Sequence, residues 1–408
     1  MSIFKARVKE FDDALAQDVV DLKELRRLTF NGVPDVQSFR ALGWKLLLGY
    51  LGPTRSSWTT TLAQKRALYK QFIEELVLPP GHSCNGAGDA DGDGDGHAEV
   101  AVESRGVGLQ DHPLSEGPES AWNTFFNDNE FLLQIDKDVR RLCPDISFFQ
   151  QPTEYPCDIV VHSRGEHGRR LHERVVPTVL SSANVERKGL GMTKQQINLI
   201  TKRSVETYAA MEEGQEAHWE VVQRILFIYA KLNPGQGYVQ GMNEIVGPIY
   251  YVMASDPDLS YRAHAEADCF FCFTALMSEI RDFFIKTLDD AEGGIKYMMA
   301  RLSNMLKTKD IDIYEHLKSQ ELHPQYYSFR WLTLLLSQEF PLPDVLRIWD
   351  SVFSDEQRFD FLIKICCSMI LIQREAILEN DFASNVKLLQ NYPPIDINVV
   401  ITHAVSLA

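Results

Sequence analysis

Apolar residues recur along most of this chain at spacings of three and four, and scarcely anywhere at a spacing of two. From Phe11 to Leu28 the residues Phe11, Leu15, Val19, Leu22, Leu25 and Leu28 paint one face, which predicts one amphipathic helix ended by Asn31-Gly32-Val33-Pro34. Trp219, Val222, Ile225, Leu226, Tyr229 and Leu232 repeat the pattern and stop at Asn233-Pro234-Gly235. Pro343-Asp344 opens a further helix through Leu346, Trp349 and Phe353 with Asp344 as its N-cap, and Asp360 is placed to cap another that runs to Leu378. Asp158 to Val161 is the one modest strand candidate. Helices packed on helices, without a closed sheet, are the architecture this patterning implies.

With 408 residues, 45% hydrophobic and 24% charged, the chain has room for two domains or one large helical domain with insertions. Two segments interrupt the globular texture. From Pro79 to Gly108 the sequence is rich in Gly, Asp and Ala with almost no aromatics, so it cannot bury enough surface to offset its ordering entropy and is expected to be a disordered surface loop. From His162 to Ser204, Lys and Arg outnumber Glu nine to three. This basic insertion is either a solvated linker or a contact for an anionic membrane or an acidic partner surface. Elsewhere the balance is acidic, and a net charge of −16 argues against a nucleic-acid binder.

Seven irregularly spaced cysteines suit a reducing compartment better than a disulfide framework. The start, Met1-Ser2-Ile3-Phe4-Lys5, lacks the apolar core of a signal peptide, and the most apolar run, Phe361 to Ile372, is too short to span a bilayer that needs about 20 residues. A cytoplasmic protein without a transmembrane segment is expected. Asp89-Ala90-Asp91-Gly92-Asp93-Gly94 begins like a calcium loop, but Val100 stands where a bidentate Glu is required. Cys269-Phe270-Phe271-Cys272 has no second pair, and His162, His167 and His172 are spread around a helix, so no metal site is expected. Phosphate-loop, zinc-protease and serine-hydrolase motifs do not occur.

Two stretches carry chemistry instead. Ile135-Asp136-Lys137-Asp138-Val139-Arg140-Arg141 puts an arginine after a polar helical turn, and Gly237-Tyr238-Val239-Gln240-Gly241 puts a glutamine in a Gly-flanked loop beyond a helix end. Alone, the first would be a solvated basic face and the second a polar loop. Together with Arg40-Ala41-Leu42-Gly43-Trp44, and with Phe329-Arg330-Trp331 through Phe340 followed by Arg347-Ile348-Trp349-Asp350, they resemble the RxxxW, IxxDxxR, YxQ and C-terminal blocks of the TBC-domain Rab GTPase-activating proteins, in family order.

The resemblance runs from about Gly32 to about Tyr392 and implies an all-α, multi-helix TBC domain with long surface insertions. The division expected is an N-terminal amphipathic helix over 1–31, the domain over 32–392 with insertions at about 79–108 and 158–215, and a C-terminal tail over 393–408. It also implies activation of a GTP-bound Rab in vesicle trafficking, with recruitment to endomembranes and with GTP and Mg²⁺ carried by the partner. Carried onto this sequence, the motifs make Arg141 the arginine finger and Gln240 the residue that positions the attacking water. Arg140 fits the register less well. Ile135, Asp138, Tyr238 and Gly241 would support the fingers, Gly237 and Gly241 would let a partner loop approach, and Arg40, Trp44, Arg330, Trp331, Trp349 and Asp350 would be scaffold. A non-catalytic adaptor that binds Rab with the same fold is the alternative.

Overall fold

In a computed structural model, which describes residues 3–78, 121–162, 170–175, 211–212, 214–285 and 294–407, the N-terminal apolar run folds as two helices where one was expected. Helix α1 spans Ile3–Leu15 and α2 spans Leu22–Phe30. Between them the β-branched pair Val19-Val20 takes extended backbone, Val19 bridging Thr54 and the Val20 amide donating to Pro53 at 2.9 Å. Asp21 then restarts the helix by accepting the amides of Lys23 and Glu24. Val20 is buried in place of Val19, which is 58% exposed, so the periodicity slips by one residue at the break.

The first half continues with α3 (Phe39–Leu47), α4 (Trp58–Phe72), α5 (Ala121–Val139) and the short α6 (Asp158–Val161). The last of these is a helical turn at the position read as a strand. Its Val160 and Val161 amides both turn back to the carbonyl of Cys157. Next come α7 (His218–Leu232), α8 (Met242–Ala254), α9 (Leu259–Arg262) and α10 (Ala265–Ile280). Helix α7 is buried nearly all round, its polar Glu220, Gln223 and Arg224 included, and lies at the centre, with Val222, Ile225, Leu226 and Ile228 fully buried among α5, α8 and α10.

The second half comprises α11 (Ile295–Lys309), α12 (Ile311–Ser319), α13 (Ser328–Thr333), α14 (Leu342–Ser354), α15 (Arg358–Ile372), α16 (Arg374–Glu379), α17 (Phe382–Gln390) and α18 (Ile397–Ser406). Asp344 and Asp360 lie inside the first turns of α14 and α15 and do not cap them, and Asp360 pairs with Arg301 at 2.7 Å. The segment expected as a tail carries α18, whose Val400 and Ala404 are fully buried and whose Val400 carbonyl accepts from Ser368 of α15 at 3.0 Å. Among the described residues there are isolated β-bridges and no ladder, so the architecture is all-α as the periodicity implied. Among the described residues no helix is long and apolar enough to cross a membrane.

The Pro79–Gly108 loop, with its calcium-like run, lies outside the described residues, as does most of the basic insertion. Of that insertion, Arg170 bonds Glu220 at 2.9 Å and Arg174 donates to the carbonyl of Val77 at 2.7 Å, so these two cations turn inward and anchor the segment on the domain.

Candidate functional site

Helix α5 ends at Val139, and Arg141 follows in a turn closed by its amide on the carbonyl of Asp138 at 3.0 Å. Its guanidinium is held by Asp138 Oδ1 at 2.6 Å and by the Lys137 carbonyl at 3.0 Å, yet 63% of the side chain faces solvent. Asp138 is buried, and its second oxygen accepts the Tyr238 hydroxyl at 2.8 Å. One carboxylate therefore ties the arginine motif to the glutamine motif. Burial, reinforced by the neighbouring Asp138, pushes the Tyr238 hydroxyl well above the usual phenol range, so it stays a donor. Arg140 is engaged elsewhere: it pairs with Asp136 at 2.8 Å and lies over the Trp219 ring at 4.9 Å. Ile135 is fully buried beneath this turn.

Gln240, two residues beyond Tyr238, is exposed and makes no hydrogen bond with any described residue. The loop that presents it needs glycine for internal reasons. At Gly241 φ is +104°, and a Cβ there would lie 2.8 Å from Leu334 Cδ2; at Gly237 φ is +63°, and a Cβ would lie 2.7 Å from Phe131 Cε1. The side of each glycine on which a side chain would stand is thus filled by the chain itself.

Under Gly241 the backbone makes a left-handed turn through two leucines, Leu335 at φ +50° and Leu336 at φ +64°. Trp349 Nε1 donates to the Leu335 carbonyl at 2.9 Å and the Leu336 amide returns to Trp331 at 2.9 Å. The C-terminal block is the floor on which the glutamine loop rests.

Two further groups at this junction escape a motif-based reading. Asn243 donates to the carbonyl of Asp138 at 3.4 Å and to Glu244 Oε1 at 2.7 Å. Burial raises the Glu244 carboxyl above its usual range, opposed by hydrogen bonds from Gln338 and Asn243. Both lie just after Gly241 and Met242 in the first turn of α8, and their position beside the glutamine loop is the only signal the sequence offers for them.

Farther off, Asp350 gathers the N-terminal motif. It accepts Trp44 Nε1 at 2.9 Å, Arg40 Nε at 3.2 Å and the Val33 amide at 3.0 Å, and Arg40 also pairs with Asp35. Burial raises the Asp350 carboxyl, with Arg40 opposing. Trp44, Trp331 and Trp349 are fully buried. Arg330 is not in the core: half exposed, it clamps Glu339 at 2.6 Å and the Gln390 carbonyl at 2.8 Å. Cys269 and Cys272 are buried side by side in α10, and among the described residues no His, Cys, Asp and Glu side chains cluster as metal ligands.

A helical domain that joins an exposed arginine to a glutamine loop through one buried carboxylate agrees with the family comparison: the chain belongs to the TBC-domain Rab GTPase-activating protein family. The Rab-GTPase-TBC domain matches residues 179–378. TBC1 domain family member 13 of Homo sapiens is 50% identical over 100% of this chain and 98% of its own length, and that of Mus musculus is likewise 50% identical. A TBC domain-containing protein of Schizosaccharomyces pombe is 35% identical over 96% of this chain and 71% of its own. The crystal structure of the Ypt/Rab-GAP domain of Gyp1p shares the fold, with TM-score 0.63 and 21% identity over 99% of this chain and 98% of that one.

Proposed function

We propose that this protein accelerates GTP hydrolysis by a GTP-bound Rab-type GTPase, Arg141 stabilising charge on the transferring phosphoryl group and Gln240 orienting the attacking water in trans. The observation that carries this reading is the hydrogen-bonded path from Arg141 through Asp138 to Tyr238, with links of 2.6 and 2.8 Å, which brings the two motifs to one junction and leaves both finger side chains exposed. GTP and Mg²⁺ arrive with the partner.

Magnitudes favour release of Arg141 from its resting pair. Letting go of Arg141 leaves the buried Asp138 carboxylate with the Tyr238 hydroxyl alone, which costs about 1.5 to 3 kcal/mol. An arginine finger contributes roughly 10³ to 10⁵ in rate, or about 4 to 7 kcal/mol. Giving up Asp138 therefore costs less than the contact with the phosphates returns. Gln240 is neutral and cannot act as a strong base, but its amide donates and accepts at once, which is what positioning a water requires.

Single-turnover hydrolysis across a panel of Rabs tests the proposal. On a Rab that responds to the parent, Arg141→Ala should lower stimulation by about a hundredfold or more at unchanged melting temperature. Gln240→Ala should cost less but still a large factor. Unchanged stimulation by folded Arg141→Ala removes Arg141 from the mechanism. Binding to GTP-loaded Rabs with no acceleration of any would make the chain an adaptor.

A further inference from the structure

At the far end of α8 from Gln240 lies a hollow of about 500 Å³ that the finger chemistry does not use. Asp256 lines it and is 2% exposed. Its Oδ1 accepts the Ser38 hydroxyl at 2.5 Å and the Asp258 amide at 2.9 Å, whereas Oδ2, shielded from water, has no partner among the described residues. A buried carboxylate oxygen without a donor is costly, and its presence on the wall of a hollow points to a guest that supplies one. The other walls are largely apolar, among them Val36, Ile146, Tyr251, Leu342 and Leu346. Asp35 stands at the same hollow with 81% of its side chain exposed, paired there with Arg40, which also lines it.

We infer that this hollow receives a lysine or arginine side chain of the bound GTPase, the methylene stem lying on the apolar walls and the cationic head reaching Asp256. Long basic side chains divide in this way between apolar stem and charged tip. The inference rests on the reading of the chain as a GTPase activator, and geometry supports the shared partner. The segment leaving Arg141 runs along α8. Leu142 packs so closely on Gly247 that a Cβ there would come within 2.7 Å, Phe148 meets Tyr251 with centroids 4.9 Å apart, and Ile146 between them enters the hollow. Helix α8 covers 13 residues, about 20 Å at 1.5 Å per residue. A standard interface buries about 800 Å² per partner, a patch roughly 30 Å across, which is long enough to take in both when the fingers lie towards one end of it.

The test uses the full chain and a responsive Rab. Asp256→Asn keeps the acceptor for Ser38 and removes the charge, and Val36→Trp fills the hollow from a different wall. Each should raise the half-saturating GTPase concentration at least tenfold with the plateau rate retained, and a scan of the GTPase's exposed Lys and Arg to Gln should find one whose effect vanishes in the Asp256→Asn background. An unchanged half-saturation in folded Asp256→Asn overturns the inference. Should that variant not fold, unchanged half-saturation by Val36→Trp overturns it equally. A weakened interaction that couples to no basic residue overturns the assigned occupant. Loss of the Arg141→Ala effect in parallel assays would instead sink the activator reading itself, which keeps the two failures apart.

Discussion

Replacing Tyr238 with phenylalanine removes one hydroxyl and leaves the ring in place. The lost bond is the 2.8 Å donation to Asp138, a side chain only 4% exposed whose remaining partner is Arg141. A hydrogen bond to a charged acceptor contributes about 1.5 to 3 kcal/mol. At 1.36 kcal/mol per decade, full transmission to the transition state gives a rate loss of about ten- to a hundredfold. Arginine-finger removal is expected to cost roughly 10³ to 10⁵, so the tether must weigh less than the finger. Single-turnover hydrolysis measured beside thermal melting should show this order, with melting lowered by no more than a few degrees. Tyr238→Phe and Asp138→Asn act through the same bond, so the double variant should lose far less than the product of the two single losses. Independent, multiplying effects would refute the idea that Asp138 couples the two loops. A folded Tyr238→Phe with parental stimulation would do the same.

Other outcomes follow from the same contacts. Asp350→Ala strands Trp44, the Val33 amide and much of Arg40, and should cost about 3 kcal/mol in urea titration, at the low end for a broken buried pair because Arg40 keeps Asp35. Gly241→Ala places a methyl against Leu334 at a left-handed φ and should cost about 1 to 3 kcal/mol while also lowering stimulated hydrolysis. His218 is held neutral by burial, its pKa lowered to about 4 from 6.5, with its Nδ1 2.8 Å from the Tyr250 hydroxyl. The unfolded chain binds this proton and the folded chain does not, so stability falls as pH drops from about 6.5 towards 4, by about 3 kcal/mol in all. His218→Gln should remove that part of the acid sensitivity, as read from denaturant midpoints at pH 7 and pH 4.5.

Much of the helical framework was legible because apolar residues repeat at helical spacing, as Trp219 to Tyr229 in α7 illustrates, whereas the helix expected to run to Leu378 ends at Ile372 and restarts at Arg374. The N-terminal break was not, since Val19 and Val20 are both apolar and either continues the stripe; only the pairing of that segment with Pro53 and Thr54 decides which one is buried. Asp158-Ile159-Val160-Val161 is β-branched enough to suggest a strand, but no described residue pairs with it in a ladder, and a single helical turn satisfies the Val160 and Val161 amides locally. At the candidate site, Arg141, Asp138, Tyr238 and Gln240 could be named from motif spacing. Which of two adjacent arginines faces solvent required the structure, because Trp219, far along the chain, occupies Arg140. The glycines show the limit most clearly: their need was visible, and the atoms that impose it, on Phe131 and Leu334, were not.

The convergence on Asp350 also bears on how the chain is made. Its donors all come from the first 44 residues, and 306 positions separate Trp44 from it. At roughly 5 to 20 residues per second, a ribosome needs about 15 to 60 s to cover that distance. For the whole interval α1 to α3 exist without the acid that organises them, so a nascent chain halted before α14 keeps an indole and a guanidinium waiting and is a natural client for chaperones.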